Sequence, residues 1–222
     1  MPSQRAELDV RGYRNEPLEY RYRRQADKPA GLGLLLPGMG YGLAHPGLRY
    51  SALLLDELGF DTFGLETRYN SETFKNASDE EALAWLGADV AGALAAARAA
   101  RDSSRLCIVA KSLGTLGLHL LLSGEPLPPQ TSLVWLTPLL QYPEVRESIR
   151  QQASHSLVVI GTADPHYRKD WLDELAAAGA TLLVLEGADH VFENTGDALA
   201  SVGNLEQIVG GMKAFLQAHP GL

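Results

Sequence analysis

The residues with the greatest chemical potential in this sequence stand directly after apolar runs. "RLCIVA" leads into Lys111, Ser112, Leu113 and Gly114. "LVVIGTA" ends at Asp164, "TLLVLEGAD" ends at His190, and "LGLLL" opens into "PGMGYG". A hydroxyl, a carboxylate and an imidazole delivered this way could carry nucleophilic catalysis. A serine hydroxyl is a poor nucleophile near neutral pH unless a neutral imidazole takes its proton as it attacks. A carboxylate must then orient that imidazole and stabilise its charged form. The attacked carbonyl oxygen becomes an oxyanion, and each preorganised donor that meets it supplies roughly 3–4 kcal/mol. The glycines of "PGMGYG" are a source of such backbone N–H donors.

Each residue also has a plain structural reading. Ser112 could simply cap a helix. Asp164, before Pro165, could form an Asx turn. "PGMGYG" could be an ordinary glycine-rich turn, and it lacks both the P-loop and the dinucleotide-binding patterns. Asp170 and Glu186 compete with Asp164 for the acid role. Asp170 falls where a helix would begin, and an acid there is favoured by the helix dipole. Glu186 lies only four residues before His190. Among the other histidines, His166 is the serious rival to His190, but it follows Asp164 so closely that it has little room to reach a separate serine. His45 sits in the glycine-rich loop, His119 in an apolar helix, His155 just ahead of a strand and His219 near the end of the sequence. Lys111 reads as a surface or sheet-edge side chain, or equally as one that forms a salt bridge near the site, with no assigned role. Arg68 and Tyr69 are candidates for the pocket or for rim packing.

These residues must be positioned by the elements around them. The runs 32–36, 106–110, 132–136, 157–161 and 181–185 are continuously apolar, and 60–65 is less pure. Runs without alternation indicate strands buried on both faces, as in a parallel sheet covered by helices. Earlier, Leu8 and Val10, then Leu18, Tyr20 and Tyr22, alternate with polar residues and predict two antiparallel strands. Helical spacing places Leu83, Leu86, Val90 and Leu94 on one face of a helix over 78–101, with Ser78 and Glu81 as its capping box. The same spacing groups Val202, Leu205, Val209, Met212 and Leu216 over 201–218. Shorter helices are expected at 47–58, 113–123, 143–153 and 168–178. Strand and helix alternate from residue 32 onward, which predicts a mostly parallel, twisted sheet of about eight strands with helices on both faces. Ligands bind such sheets at the carboxyl ends of the strands, where Ser112, Asp164 and His190 stand.

Length and charge bound the remaining possibilities. A chain of 222 residues suits one domain spanning 1–222, and 45% apolar with 21% charged residues is ordinary globular composition. The net charge of −8 disfavours nucleic acid and anionic membrane surfaces as partners. No membrane span is expected, and the polar stretch at the start shows no secretory h-region, which points to a cytoplasmic protein. The single cysteine, Cys107, reads as a buried strand residue and excludes an internal disulfide or a cysteine-based metal site.

The order Ser112, Asp164, His190, each after a strand, resembles the α/β-hydrolase superfamily, whose nucleophile, acid and histidine follow in that order. "KSLGT", "WLTPLL", "GTADP" and "GADH" are similar to a compact, nearly capless bacterial group within it. The family elbow reads G-x-S-x-G. Here it is Ala110-Lys111-Ser112-Leu113-Gly114, a departure of one methyl at a position that must be small. The resemblance implies the α/β-hydrolase fold with Ser112 as nucleophile, His190 as base and Asp164 as acid. It also implies an oxyanion hole made by the backbone N–H groups of Leu113 and Met39. The implied activity is hydrolysis of a small carboxylic ester or thioester through an acyl-enzyme, with no cofactor and no metal. The alternative is a catalytically silent hydrolase fold used as an interaction module. Only residues 137–156 separate two strands where a cap would stand, so the site should be open. Trp135, Leu139 and Leu140 are possible acyl-pocket residues, with core packing favoured for Trp135.

Overall fold

The computed structural model describes residues 8–101, 103–124 and 126–219. The first seven residues, part of the polar stretch in which a secretory segment was not expected, lie outside the described residues. Seven strands form one sheet: β1 (Glu19–Arg23), β2 (Gly31–Leu36), β3 (Phe60–Glu66), β4 (Arg105–Lys111), β5 (Gln130–Leu136), β6 (Ser156–Gly161) and β7 (Thr181–Leu185). They lie in the order β1-β3-β2-β4-β5-β6-β7. β1 pairs antiparallel with β3, and every other pairing is parallel.

The strand count among the described residues is one fewer than expected, because the Leu8–Val10 segment makes no strand. It contacts its neighbour through a single bridge, Arg11 to Pro17, and the Leu18 N–H donates to the Val10 carbonyl. Between them, Arg14 and Asn15 take positive φ values of 53° and 60°. That tight turn ends the pairing, and Val10 is buried in the core instead.

Helices cover both faces. On one side α3 (Asp79–Ala100), α4 (Leu113–Leu122), α5 (Pro143–Gln151) and α6 (Lys169–Ala177) pack in sequence. On the other, α1 (Pro46–Glu57) packs against α7 (Ala198–Ala218). A four-residue helix, α2 (Glu72–Lys75), was not anticipated; Ser71 caps it by accepting from the Phe74 N–H. The sheet therefore separates two apolar cores. Leu34, Ile108, Trp135 and Val158 point to the first, and Leu35, Val109, Val134 and Val159 to the second. This two-sided burial is what the unbroken apolar runs encode.

Ser78 caps α3 as its spacing suggests, its hydroxyl accepting from the Glu81 N–H at 3.2 Å. Glu81 does not reach back to complete the box. Its carboxylate meets Tyr13 and Arg14 instead. The apolar stripe of α3 also begins one turn late, since Leu83 is exposed whereas Leu86, Val90 and Leu94 are buried. Among the described residues, α3 is the one helix long and apolar enough to cross a membrane by length and composition; here it packs on the sheet. On α7, Met212 and Leu216 are buried, but Val202 is exposed. Asn204 turns inward in its place because its amide finds two acceptors there, the Phe192 carbonyl and Asn194 Oδ1.

The chain order also locates a crevice. From β2 the chain steps outward to β3, then returns across β2 to β4. The direction of winding reverses between β2 and β4, and the carboxyl ends of such a strand pair frame a ligand site. The loop after β2 carries "PGMGYG", and β4 ends at Lys111, immediately before Ser112.

Candidate active site

Ser112 lies between β4 and α4 with φ 51° and ψ −117°. For a residue with a side chain this backbone is strained, at a cost of order 1–3 kcal/mol. Tight packing enforces it. The Ser112 N–H donates to the Leu136 carbonyl at 3.0 Å, and its own carbonyl accepts from the Thr115 N–H at 2.8 Å and hydroxyl at 2.6 Å. Gly114 is required here, since a Cβ at this position would fall on the Leu36 carbonyl. Ala110, the departure from the family elbow, is fully buried in β4.

His190 reaches the serine from the loop after β7, with Nε2 2.8 Å from Ser112 Oγ. Its Nδ1 lies 2.8 Å from Asp164 Oδ2. With the carboxylate ionised, Nδ1–H donates to Asp164 and Nε2 is left to accept the serine proton. Asp164 is buried, which by itself raises its pKa. The hydrogen bond from His190, the His166 N–H at 2.8 Å on Oδ1 and the neighbouring imidazoles outweigh burial, so its pKa is lowered on balance. The Asp164 side chain is thus held as a carboxylate.

The two loops that carry Asp164 and His190 are tied together at their roots. The Ala163 N–H donates to the Ala188 carbonyl at 3.0 Å, and the Gly187 N–H donates to Thr162 Oγ1 at 2.8 Å. Gly161 permits this approach, because a Cβ there would meet the Ala188 carbonyl. Beyond His190, Asp189 Oδ1 accepts from the Val191 and Glu193 N–H groups, both at 2.9 Å, which curls the loop. Phe192 takes a positive φ of 72° in that curl.

The rival residues fall elsewhere. The His166 ring packs edge-on against His190, 5.3 Å between centroids, and burial lowers its pKa. Its part is to donate its backbone N–H to Asp164. Asp170 lies in the first turn of α6, and Glu186 contributes only its carbonyl, to Asn194. His119 bridges α4 to Ser148 of α5 at 2.8 Å. His45 stacks on Tyr41, and His219 reaches the Phe215 carbonyl. Arg68 is exposed and paired with Glu19, whereas Tyr69 is buried against Phe74 and Asp89. Trp135, Leu139 and Leu140 belong to the core, and the Trp135 indole donates to Ser156 Oγ at 3.0 Å. Cys107 is buried, which pushes its thiol pKa up to about 12; such a group is unreactive.

One expectation is overturned. Lys111 is fully buried rather than at the surface or a sheet edge. Its Nζ donates to Thr137 Oγ1 at 2.5 Å and to the His190 carbonyl at 2.8 Å. It also faces the rings of Tyr41 and Phe192 at 4.6 Å and 5.4 Å. Sequence reasoning assigned Lys111 no role and passed over Thr115, Thr137 and Asp189. The one local signal was a lysine inside an apolar strand end, which is costly unless its ammonium is met by specific partners.

Asp164, His166 and His190 bring ligand atoms within 4.8 Å of one another, close enough to share an ion. The Asp164 and His190 atoms are already engaged along the line to Ser112.

The sequence matches no protein-family model and no curated protein. Solved structures match it throughout. It is similar to an α/β serine hydrolase without a lid from Xanthomonas campestris, with TM-score 0.68, 18% identity and all of both chains covered. It is similar to an α/β serine hydrolase homologue from Coxiella burnetii, with TM-score 0.67, 17% identity and 93% of this chain and 97% of that one covered. An esterase of Pyrococcus furiosus gives TM-score 0.68 at 15% identity, over 96% of this chain and 92% of the other. The sheet order, the strained elbow and these matches agree: the chain has the α/β-hydrolase fold with a minimal cap.

Proposed function

We propose that the protein is a serine hydrolase that cleaves a small carboxylic ester or thioester. The observation that carries this reading is the unbroken line of hydrogen bonds from Ser112 through His190 to Asp164, 2.8 Å at each step. Ser112 Oγ attacks the acyl carbon while His190 Nε2 takes the hydroxyl proton. The same nitrogen then returns the proton to the leaving alcohol or thiol, and an acyl-enzyme remains on Ser112. Water, deprotonated by His190, releases the acid and restores the serine. Asp164 holds the imidazole in the required tautomer and stabilises its charged form.

The oxyanion is assigned to the N–H groups of Leu113 and Met39. Leu113 is the first residue of α4, where backbone N–H groups lack intrahelical partners and the helix dipole favours negative charge. The turn that bears Met39 is closed by paired hydrogen bonds between Gly38 and Tyr41. It lies against the elbow, since a Cβ on Gly38 would come within 3.1 Å of both the Ser112 Cβ and the Lys111 carbonyl.

Substrate size follows from what surrounds the serine. Six residues link β5 to the nine-residue α5, where a lid would otherwise stand. Met39, beside the Gly38 turn that lies against Ser112, and Val191, next to His190, are exposed apolar side chains. An open, apolar rim suits short or partly exposed acyl groups. The similarity to a lidless serine hydrolase and to an esterase supports the same choice. Against the silent-module alternative stands the strain at Ser112: an interaction surface gains nothing from a serine held at φ 51°.

The test is turnover of p-nitrophenyl esters from acetate to octanoate, with fluorophosphonate labelling. Wild type should be labelled and should favour short acyl chains, and Ser112→Ala should lose both activities. Ser112→Ala hydrolysing at the wild-type rate would refute the assignment.

A further inference from the structure

We propose that Lys111 is a positioning residue whose ammonium joins the three loops of the active site and thereby sets the geometry of His190 against Ser112. The inference rests on the serine-hydrolase reading and extends it to a residue outside the triad. Lys111 is the last residue of β4, immediately before the nucleophile, and its side chain turns inward among the strand ends. The four contacts fall in three loops. Thr137 is the first residue after β5. The His190 carbonyl and the Phe192 ring belong to the loop after β7. The Tyr41 ring belongs to the loop after β2, where Tyr41 also closes the turn that carries Met39. One amine thus touches the backbone of the base, the loop of the second oxyanion donor and the strand beside the nucleophile.

Strain supports the assignment. Among the described residues, five non-glycine positions have positive φ. Two are in the turn near residue 14, and the other three are Ser112, Thr137 and Phe192. Lys111 precedes the first and contacts the other two. Strained backbone persists only where its surroundings over-determine it, and this ammonium supplies a hydrogen bond to one and a cation–π contact to the other. A lysine used merely to fill space would be replaced at lower cost by an apolar residue, since burying a charge requires specific partners.

Burial lowers the Lys111 pKa to about 7, against the opposing pull of Asp164 and Asp189. The titratable groups near it are therefore Asp164 and His166 after β6, Asp189 and His190 after β7, and the Tyr41 phenol after β2. The amine donates hydrogen bonds in both protonation states, so the loops stay joined across neutrality. Its charge, and hence its effect on the neighbouring imidazoles, does not stay constant.

The experiment compares wild type, Lys111→Met and Lys111→Gln by steady-state kinetics across pH and by hydrogen–deuterium exchange. Lys111→Met should lower kcat by about 100-fold, the scale expected when a reacting group is misplaced by about 1 Å. KM should stay within threefold, and the midpoint of the kcat/KM profile near neutrality should move away from that of wild type. Lys111→Gln, which keeps a donor without the charge, should recover part of kcat but not the wild-type midpoint. Amides of 38–41 and 188–194 should exchange faster in Lys111→Met, with the sheet interior unchanged. This exchange readout needs no turnover, so it tests the joining role even if wild type proves inactive and the hydrolase reading fails. If Lys111→Met does not fold, Thr137→Val removes one partner at nearly constant shape and should lower kcat about tenfold. A foldable Lys111 or Thr137 variant with kcat within threefold of wild type, the same pH profile and unchanged loop exchange would overturn the proposal.

Discussion

Two buried ionisable groups in this molecule invite comparison. Lys111 lies at the carboxyl end of the sheet, fully buried among three loops. Asp89 lies in α3, under the turn formed by residues 12–16, and is 2% exposed. Asp89 Oδ1 accepts the Tyr13 N–H at 2.9 Å, and Oδ2 accepts the Tyr69 hydroxyl at 3.2 Å. Burial shifts both groups toward their neutral forms, lowering Lys111 and raising Asp89. Their surroundings differ in what they hold. Asp89 fastens an N-terminal turn and a buried phenol to a helix, far in sequence from any strand end that carries chemistry. Lys111 contacts the loops that carry His190 and Met39. A perturbed pKa therefore marks desolvation in both places and marks a candidate site only where the partners are themselves reactive.

The largest effects should fall on the catalytic side. Ser112→Gly should abolish turnover, by on the order of 10⁶-fold if serine and histidine act as a unit. It should also raise the melting temperature by about 2–4 °C for each kcal/mol of backbone strain released; calorimetry beside an ester assay checks both. A fall in melting temperature would show that the elbow stores no strain.

Two glycines sharpen the contrast next. A Cβ on Gly114 would fall on the Leu36 carbonyl, and one on Gly92 would fall on the Arg11 carbonyl. Gly114→Ala should cost about 100-fold in kcat by displacing the elbow. Gly92→Ala should lower stability and leave kcat/KM within twofold of wild type, measured by denaturant titration and kinetics on the same preparations. Similar losses of activity in the two variants would dissolve the distinction.

Smaller effects are expected from Asp89 itself. Asp89→Leu leaves the Tyr13 N–H and the Tyr69 hydroxyl without acceptors, at about 1–3 kcal/mol each, with kcat/KM again unchanged. The smallest effects are in the pH dependence of stability, where the two groups have opposite signs. The folded pKa of Asp89 is raised from 3.8, so its contribution is fully present below pH 3.8 and is lost as pH rises through the folded value. That of Lys111 is lowered from 10.5 to about 7, so its contribution is present above pH 10.5 and is lost as pH falls through about 7. Denaturation midpoints of Asp89→Asn and Lys111→Met, compared with wild type between pH 4 and pH 10, should therefore diverge at opposite ends.

The reach of sequence reasoning follows the same division. The buried strands were legible because a run such as 157–161 has no polar residue to face water. The triad candidates were legible because a parallel sheet places the residue after each strand on one edge, and Ser112, Asp164 and His190 all stand at that edge. Helix ends were legible where a side chain caps locally, as Ser78 does. The first strand was misjudged because alternation at Leu8 and Val10 carries no information on how far a pairing extends. Beside the turn at Arg14 and Asn15, where φ is positive, it stops at a single bridge.

Local pattern alone therefore determined the mostly parallel sheet, the two-sided core and the residues that could form a nucleophilic relay, because burial periodicity and chain order are properties of neighbours in sequence. Tertiary structure decided the rest. It joined Ser112, His190 and Asp164 at hydrogen-bond distance across separations of 78 and 26 residues. It also buried Lys111, for which the sequence left a surface or sheet-edge position and a salt bridge near the site both open, against Thr137 and the His190 carbonyl. Whether a charge at a strand end meets water or a hydroxyl, a carbonyl and two rings depends on segments far apart in the chain, and only the fold brings those segments to it.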